Sequence, residues 1–266
     1  MAFAQIGGLS FWYERRGAAG APLLFISGTG CDLRRPETRF FGPLARQFDL
    51  LAYDQRGLGQ SAKPDAPYSM ADYADDAAGM IDHAGWSDAH VIGVSFGGMV
   101  AQELVLRHPR KVRRLVLCCT SSGGAGGSSF AYHKLPPMTR DERATLMIPI
   151  ADTRHDSAWA AAHPQDYARI HALMAADPYA GEPGHAMGAR RQEEARIGHD
   201  TWDRLPQIAC PTYVMGGRYD RLAPPENLET LAGRIPGAGL RFFEGGHLFM
   251  LEDAAAYPAM AAFLNG

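Results

Sequence analysis

The chain has 266 residues, 46% of them hydrophobic, and a formal net charge of −3 at pH 7. This length suits one large α/β domain or a core with an inserted lobe, and the weak charge gives no reason to expect nucleic acid or a membrane surface as a partner. The four cysteines lack the spacing of a disulfide framework, and the N-terminus lacks a basic stretch followed by a long apolar one. We therefore expect a cytoplasmic protein and leave its oligomeric state open.

Strand-like and helix-like segments alternate along the first 120 residues. Short apolar runs predict strands at 9–16, 22–28, 49–55, 89–95 and 112–120. A helix is expected after Ser69, whose hydroxyl can cap the free amides with support from Asp72, and another is expected over 96–108. This alternation predicts a mostly parallel sheet with helices on both faces.

The alternation stops between residues 121 and 205. This segment opens with SSGGAGGSS and carries several amphipathic helical pieces without a clear strand. Strands are again predicted at 211–217 and 239–245, with helices near 225–234 and 257–264. Because a structureless loop of about 85 residues is implausible in a compact domain, we expect an α/β core of residues 1–120 and 206–266 with a helical cap inserted over 121–205.

Ser95 lies at the junction of a predicted strand and a predicted helix, within the G-x-S-x-G pattern of VIGVSFGGM. A sharp strand-to-helix turn forces such a serine into a strained backbone conformation, and side chains two positions away would collide. The turn lifts the hydroxyl above the end of the strand, where the amides of a helix N-terminus favour negative charge. Ser95 is therefore a candidate nucleophile, although small-residue turns of this kind also occur for structural reasons.

A serine nucleophile needs a base and a group that orients the base. Of the ten histidines, His247 follows the last predicted strand in EGGHLFM, at the sheet edge where Ser95 lies. Asp220 follows the preceding strand in MGGRYDRLAPP, although an aspartate there can also cap a helix. The chain order Ser95, Asp220, His247, with each residue at the end of a strand, favours a catalytic triad.

Two backbone amides are candidates to bind the oxyanion that forms when a carbonyl is attacked. Phe96 begins the helix after Ser95, so its amide is directed towards that oxyanion. The loop SGTG at 27–30 offers a second donor, with Thr29 as the first choice and Gly30 as the next; the alternative is a simple glycine turn. No HExxH sequence or Cys/His pair at ligand spacing is present, so no metal is expected.

These segments resemble those of the α/β-hydrolase superfamily, over essentially the whole chain. The chain looks most like the 3-oxoadipate enol-lactonases and bacterial carboxylesterases of that superfamily. The resemblance implies an α/β-hydrolase fold, a triad of Ser95, His247 and Asp220, oxyanion amides at Phe96 and in the SGTG loop, and a helical cap. It is carried by SGTG (27–30), YDQRGLGQS (53–61), GVSFGG (93–98), GGRYD (216–220) and GGH (245–247).

The chain departs from the family at Ser27, where a structural histidine is usual, and this change bears on the geometry of the loop. Asp54 and Arg56 match a family motif in the DQRG turn. We interpret both as residues that brace loops, with direct contact to the substrate as the alternative.

We expect hydrolysis of a carboxylic ester or lactone of a small molecule through an acyl-serine intermediate, without a cofactor. Three alternatives stay open: hydrolysis of a carbon–carbon bond in vinylogous diketones, cofactor-free haloperoxidase activity, and a ligand receptor with vestigial turnover.

The substrate pocket depends on the expected cap. Two of its candidate residues, Arg190 and Arg191, suit a substrate carboxylate. With Glu193 and Glu194 beside them, they also fit a solvated charged helix. The apolar candidates also fit packing between cap and core. The candidate pocket residues are Trp159, His171, Met174, Arg190, Arg191, Trp202 and Leu248.

Overall fold

The structure is a computed structural model, and it describes residues 2–17, 20–35 and 41–266. Its strands are β1 (Ala2–Ile6), β2 (Leu9–Arg16), β3 (Pro22–Ile26), β4 (Asp49–Tyr53), β5 (Ala89–Val94), β6 (Val112–Cys118), β7 (Thr212–Gly217) and β8 (Gly239–Phe243). Its α-helices are α1 (Met70–His83), α2 (Phe96–Arg107), α3 (Arg140–Ala151), α4 (Ser157–Ala162), α5 (Pro164–Ala175), α6 (His185–Ile197), α7 (Pro225–Arg234), α8 (Phe249–Glu252) and α9 (Ala256–Asn265).

The described strands form one sheet in the order β1-β2-β4-β3-β5-β6-β7-β8. β1 pairs with β2 and β2 pairs with β4 in antiparallel fashion, and every other neighbouring pair is parallel. The predicted mostly parallel α/β sheet is therefore confirmed. Because the strands from β3 to β8 run in one direction, their carboxyl ends and the loops that follow them share one edge of the sheet.

Helices cover both faces of the sheet because each strand buries side chains on both sides. On one face the core includes Leu24, Val91, Leu115 and residues of α1, α2 and α7, such as Tyr73, Leu104 and Leu228. On the other face it includes Phe25, Ile92, Val116 and residues of α8 and α9, such as Phe249 and Met260. A sheet that is buried on both faces explains why its strands read as continuous apolar runs.

The predicted start of α1 is confirmed, and one strand was not predicted. The Ser69 hydroxyl accepts a hydrogen bond from the Asp72 amide at 3.1 Å, and the Asp72 carboxylate accepts one from the Ser69 amide at 2.9 Å. The strand that sequence reasoning missed is β1, which forms a hairpin with β2 through Gly7 and Gly8. Both glycines have positive φ, and a Gly-Gly pair between two apolar runs is the signal that predicts such a hairpin.

Residues 119–211, all of which the structure describes, contain no strand and carry α3 to α6. This segment contacts the loops at the carboxyl edge of the sheet. A β-carbon on Gly188 of α6 would lie 1.9 Å from the Gly57 carbonyl oxygen, so only glycine permits this approach of the two backbones. Arg34, in the loop after β3, forms an ion pair with Glu182 at 2.6 Å. No helix formed by the described residues is long and apolar enough to cross a bilayer.

Asp54 braces two loops at this edge. Its carboxylate accepts hydrogen bonds from the amide of Leu33 at 2.7 Å and from the amide of Gln60 at 2.9 Å. Arg56 forms a two-pronged contact with Asp76 of α1, at 2.6 and 2.7 Å. Both residues of the DQRG turn therefore hold the loop against its neighbours, in agreement with the bracing interpretation.

We expect the charge of Asp54 to make stability depend on pH. Burial raises the pKa of Asp54 to about 7, from an ordinary value of 3.8, although the two amides favour the charged form. The folded protein therefore retains a proton that the unfolded chain releases, so the stabilisation is complete below about pH 4 and is lost as the pH rises to about 7. Over this interval the free energy of unfolding of the wild type should fall relative to that of Asp54→Asn by about 1–4 kcal/mol.

Urea unfolding of both proteins at several pH values measures this difference. Asp54→Asn is the appropriate comparison because it retains one acceptor oxygen and cannot titrate. Parallel pH curves for the two proteins would show that Asp54 is charged in the fold and would contradict the prediction.

Candidate active site

Ser95 occupies the turn between β5 and α2 in a backbone conformation that few residues adopt. Its φ is 55° and its ψ is −117°. In the described part of the chain, Cys119 is the other non-glycine residue with positive φ. Such a conformation costs about 1–3 kcal/mol and persists only where the surrounding structure enforces it. The expected strained turn is therefore present.

Three glycines make this turn possible because other backbone or side-chain atoms lie where their β-carbons would be. A β-carbon on Gly93 would lie 2.3 Å from the carbonyl oxygen of Gly97, and one on Gly97 would lie 2.1 Å from that of Ile26. A β-carbon on Gly98 would lie 2.6 Å from the side chain of Thr120. The glycines of the G-x-S-x-G-G pattern thus allow α2 to pack closely against the ends of β3 and β6.

Asp220 and His247 form a hydrogen-bonded pair after β7 and β8. Asp220 is 1% exposed, and its Oδ1 accepts the amides of Leu222 at 2.7 Å and Ala223 at 3.1 Å. Its Oδ2 lies 2.8 Å from Nδ1 of His247. A carboxylate is acceptor-only, so this bond assigns the proton to Nδ1 and leaves Nε2 as an acceptor.

The sheet register sets the distance between Ser95 and Asp220, which the imidazole of His247 would have to bridge. Val94 pairs with Cys118, and Cys118 pairs with Met215, so Ser95 and Asp220 follow two strands that are separated by β6. At the usual spacing of strands their ends lie roughly 10 Å apart, a gap that one imidazole with a hydrogen bond on each side fills. The described residues include no hydrogen bond between Ser95 Oγ and His247 Nε2. Such bonds often tighten only when substrate binds.

The backbone amides of Thr29 and Phe96 have no hydrogen-bond partner among the described residues, whereas the amide of Gly30 has one. The Gly30 amide donates to Oε1 of Gln192 at 2.9 Å. A β-carbon on Gly28 would lie 3.4 Å from Cβ of Ser95, so this loop packs directly against the serine. Gly30 is therefore not available as an oxyanion donor, because a side chain from α6 occupies its amide, and Thr29 and Phe96 remain.

A cavity of about 580 Å³ opens beside this loop. Thr29, Gly30 and Gln192 line it, together with residues of α3, α5 and α6. Of the candidate pocket residues, Met174 and Arg190 lie in its wall. Ser95 and His247 do not, so the cavity adjoins the proposed catalytic groups at the Thr29 loop and does not enclose them.

The other candidate pocket residues lie outside the wall of this cavity. Trp159 stacks on His163, with ring centroids 5.1 Å apart, and His171 bonds Oγ1 of Thr145 at 3.1 Å. Arg191 pairs with Glu194 at 2.9 Å and with Asp65 at 3.3 Å. Trp202 packs against the core under Arg234, at 4.9 Å from its ring, and Leu248 directly precedes α8.

Sequence reasoning missed Gln192, which is 1% exposed and connects α6 to the Thr29 loop. Gly188, Gln192 and Ala195 are the buried residues of α6 and share one face of that helix. A helical stripe with glycine and glutamine in it is not apolar, so the hydrophobic pattern gives no signal there. Ser27 stands where the family usually has histidine. Its backbone carbonyl accepts a hydrogen bond from Nε2 of Gln55 at 2.8 Å.

Comparison with known proteins agrees with this fold. A family described as "alpha/beta hydrolase fold" matches residues 21–254. The chain is 31% identical to a poly(3-hydroxyalkanoate) depolymerase of Ectopseudomonas oleovorans over 247 residues, which cover 92% of this chain and 84% of that protein. It is 31% identical over 262 residues to a 2-hydroxymuconate semialdehyde hydrolase of Pseudomonas sp. (strain CF600), covering 91% and 86%. The solved enol-lactonase of Burkholderia xenovorans LB400 shares the fold, with a TM-score of 0.79, 24% identity and full coverage of both chains.

The contact between Gly97 and Ile26 leads to a prediction about stability and activity. We expect Gly97→Ala to lower the free energy of unfolding by about 1–3 kcal/mol, because its β-carbon forces the start of α2 away from β3. Since Ser95 lies in the same turn, kcat should fall as well. Gly233→Ala in α7 is the matched control: nothing lies within 4 Å of its new β-carbon. There, helix propensity predicts a gain of up to about 1 kcal/mol. Denaturant unfolding measures both variants, and equal stabilities would contradict the steric argument.

Proposed function

The chain belongs to the α/β-hydrolase fold family, and from that premise we propose that it is a serine hydrolase which cleaves a carboxylic ester or lactone. The observation that carries the proposal is the strained Ser95 at the N-terminus of α2, beside a buried Asp220 that holds His247 at 2.8 Å. A single positive-φ serine and a single His–Asp pair each have structural explanations. Their location after β5, β7 and β8, at one edge of the sheet, favours nucleophilic catalysis.

In this mechanism His247 Nε2 accepts the proton of Ser95 as Oγ attacks the substrate carbonyl. Asp220 keeps the imidazole in the correct tautomer and stabilises the cation that forms. The amides of Thr29 and Phe96 bind the oxyanion, and each such donor is worth about 3 kcal/mol in the transition state. His247 then protonates the leaving alcohol and activates a water that releases the acid from Ser95. No step requires a cofactor.

In this function, residues 121–205 act as a helical cap over the active site. Three contacts support it: the His247 amide donates to Ala151 O at 2.7 Å, Gln192 accepts from Gly30, and the cavity lies between α3, α5, α6 and the Thr29 loop. A cap that touches both the base and the oxyanion loop excludes water from the reacting carbonyl and shapes the pocket for a small molecule.

The named relatives support two reactions for the same machinery. A depolymerase of hydroxyalkanoates and an enol-lactonase, by their names, act on ester and lactone bonds. The relative named 2-hydroxymuconate semialdehyde hydrolase makes carbon–carbon hydrolysis the second candidate. We favour the ester or lactone because the poly(3-hydroxyalkanoate) depolymerase by name acts on a polyester, whereas unpartnered amides beside a serine would serve either reaction.

The test is hydrolysis by wild type and Ser95→Ala of a panel that contains short acyl esters, 3-hydroxyacyl esters, enol-lactones and vinylogous diketones. We expect kcat/KM for the ester or lactone to fall at least about a thousandfold in Ser95→Ala. The exposed Ser87 supplies the control variant Ser87→Ala, which should retain activity.

Each other outcome has its own meaning. Ester hydrolysis that survives in Ser95→Ala would end the nucleophile assignment. Cleavage of the diketones alone would establish the second candidate. Tight binding of a panel compound with no turnover by the wild type would indicate a receptor.

A further inference from the structure

One end of the cavity carries two guanidinium groups around a single aromatic ring. Arg196 of α6 lies 4.7 Å from the ring centroid of Tyr132, and Arg143 of α3 lies 5.8 Å from it. All three side chains line the cavity. The Tyr132 hydroxyl makes no hydrogen bond to the described residues, so it can donate to a bound molecule.

Several charges elsewhere in the cavity wall form ion pairs, whereas Arg143 and Arg196 form none in the part of the chain that the structure describes. Asp177 pairs with Arg140 at 2.9 Å and with His185 at 3.0 Å, Asp32 pairs with Arg34 at 2.7 Å, and Arg190 lies 3.6 Å from Glu194. No carboxylate among the described residues lies within 4 Å of Arg143 or Arg196.

Glu193 is the remaining acid of this wall. It acts on Arg196 electrostatically, and its Oε1 is buried without a hydrogen-bond partner. Two cations therefore act on Tyr132, and of the two anions that also act on it, Glu193 and Asp220, the second is buried and already bonded to His247 and to two amides.

The position of Arg196 makes the charge of its guanidinium costly without an anion at hydrogen-bond distance. Its Nη2 donates to Ser129 Oγ and to Phe130 O, both at 2.8 Å, which fixes the guanidinium and uses one of its nitrogens. Burial lowers the pKa of Arg196 and raises that of Tyr132, so the surroundings of both are poorly hydrated. A fixed, partly desolvated cation next to a hydroxyl donor suits a carboxylate.

This end of the cavity lies close to the proposed catalytic groups. The backbone amide of Phe130 donates to the carbonyl of Leu222 at 2.7 Å, two residues after Asp220 in the chain. The charge of Asp220 also contributes to the raised pKa of Tyr132. The same cavity reaches Thr29. A ligand in it can therefore place one end near the oxyanion amides and the other near Arg196.

We propose that Arg196 and the Tyr132 hydroxyl, with Arg143 adding positive charge, form a subsite for a carboxylate of the substrate. The preferred substrate is then an ester or lactone that carries a free acid group. This inference rests on the proposed hydrolase function and adds the chemical class of the molecule that is cleaved.

The experiment compares anionic and neutral versions of the same ester. The 4-nitrophenyl hydrogen esters of succinate, glutarate and adipate are measured against their methyl esters by release of 4-nitrophenol, with Ser95→Ala as the background. We expect the wild type to prefer the acid of at least one chain length. Arg196→Met should lower kcat/KM for that acid by about 10- to 100-fold, the range for a hydrogen bond to a charged group, and change the methyl ester little.

Two further variants separate the subsite from a packing role of Arg196, because Arg196→Met also removes two bonds to the 129–130 segment. Tyr132→Phe keeps the ring and removes only the hydroxyl, and it should reduce the preference for the acid in the same direction. Arg169→Met is the matched control, since Arg169 lies on α5, outside the cavity wall, and pairs with Asp166. Glutarate should inhibit methyl-ester cleavage competitively in the wild type and not in Arg196→Met.

The failures of the two proposals are distinguishable. If neither ester releases nitrophenol above the Ser95→Ala background, the hydrolase function fails. If the wild type cleaves acid and methyl ester equally well, or if Arg196→Met and Tyr132→Phe reduce both alike, the hydrolase function stands and the carboxylate subsite is wrong.

Discussion

The carbonyl oxygen of Ile26 lies where a β-carbon on Gly97 would be, 2.1 Å away, and the presentation of Ser95 depends on this close approach. Because α2 begins directly against the end of β3, the chain has to turn within one residue, and that residue takes a φ of 55°. The strain is held by the burial of α2 on the sheet, where Phe96, Val100 and Leu104 are fully buried. The packing of a whole helix thus supports one unfavourable backbone conformation.

The loops at the same edge are irregular. There, buried carboxylates accept hydrogen bonds from backbone amides, which inside the sheet are satisfied by strand pairing. Asp54 accepts amides from two loops, and Asp220 accepts two amides of its own turn while it also holds His247. A carboxylate has about four acceptor positions, so one side chain can satisfy several backbone donors and still orient a neighbour. The cost is desolvation, which is visible in the raised pKa of Asp54.

Much of the fold, and the location of Ser95, Asp220 and His247 after strands of the sheet, follows from local sequence signals. Apolar runs bounded by glycine marked the strands, and the positions of Ser95, Asp220 and His247 followed from the rule that parallel strands bring their carboxyl ends to one edge. The cavity wall did not follow. Arg190, Arg191 and Arg196 lie on one helix and look alike in sequence, yet Arg191 pairs with Asp65, Arg190 with Glu194, and Arg196 bonds the 129–130 segment. With Glu194, which Arg191 also contacts, their partners lie three to 126 residues away, so the distinction depends on tertiary packing.

Gln192 shows how tertiary packing links α6 to the Thr29 loop, which lies beside Ser95. Its Oε1 accepts a hydrogen bond from the Gly30 amide, which leaves the Thr29 amide as the proposed oxyanion donor of that loop, while its Nε2 is buried without a partner. An unpaired buried amide group costs about 1–3 kcal/mol, so the contact has to be enforced from outside. The backbone approach of Gly188 to Gly57 supplies that constraint, one helical turn before Gln192. The arrangement of the Thr29 loop is therefore set by α6 as well as by the sheet, and it cannot be derived from the α/β core alone.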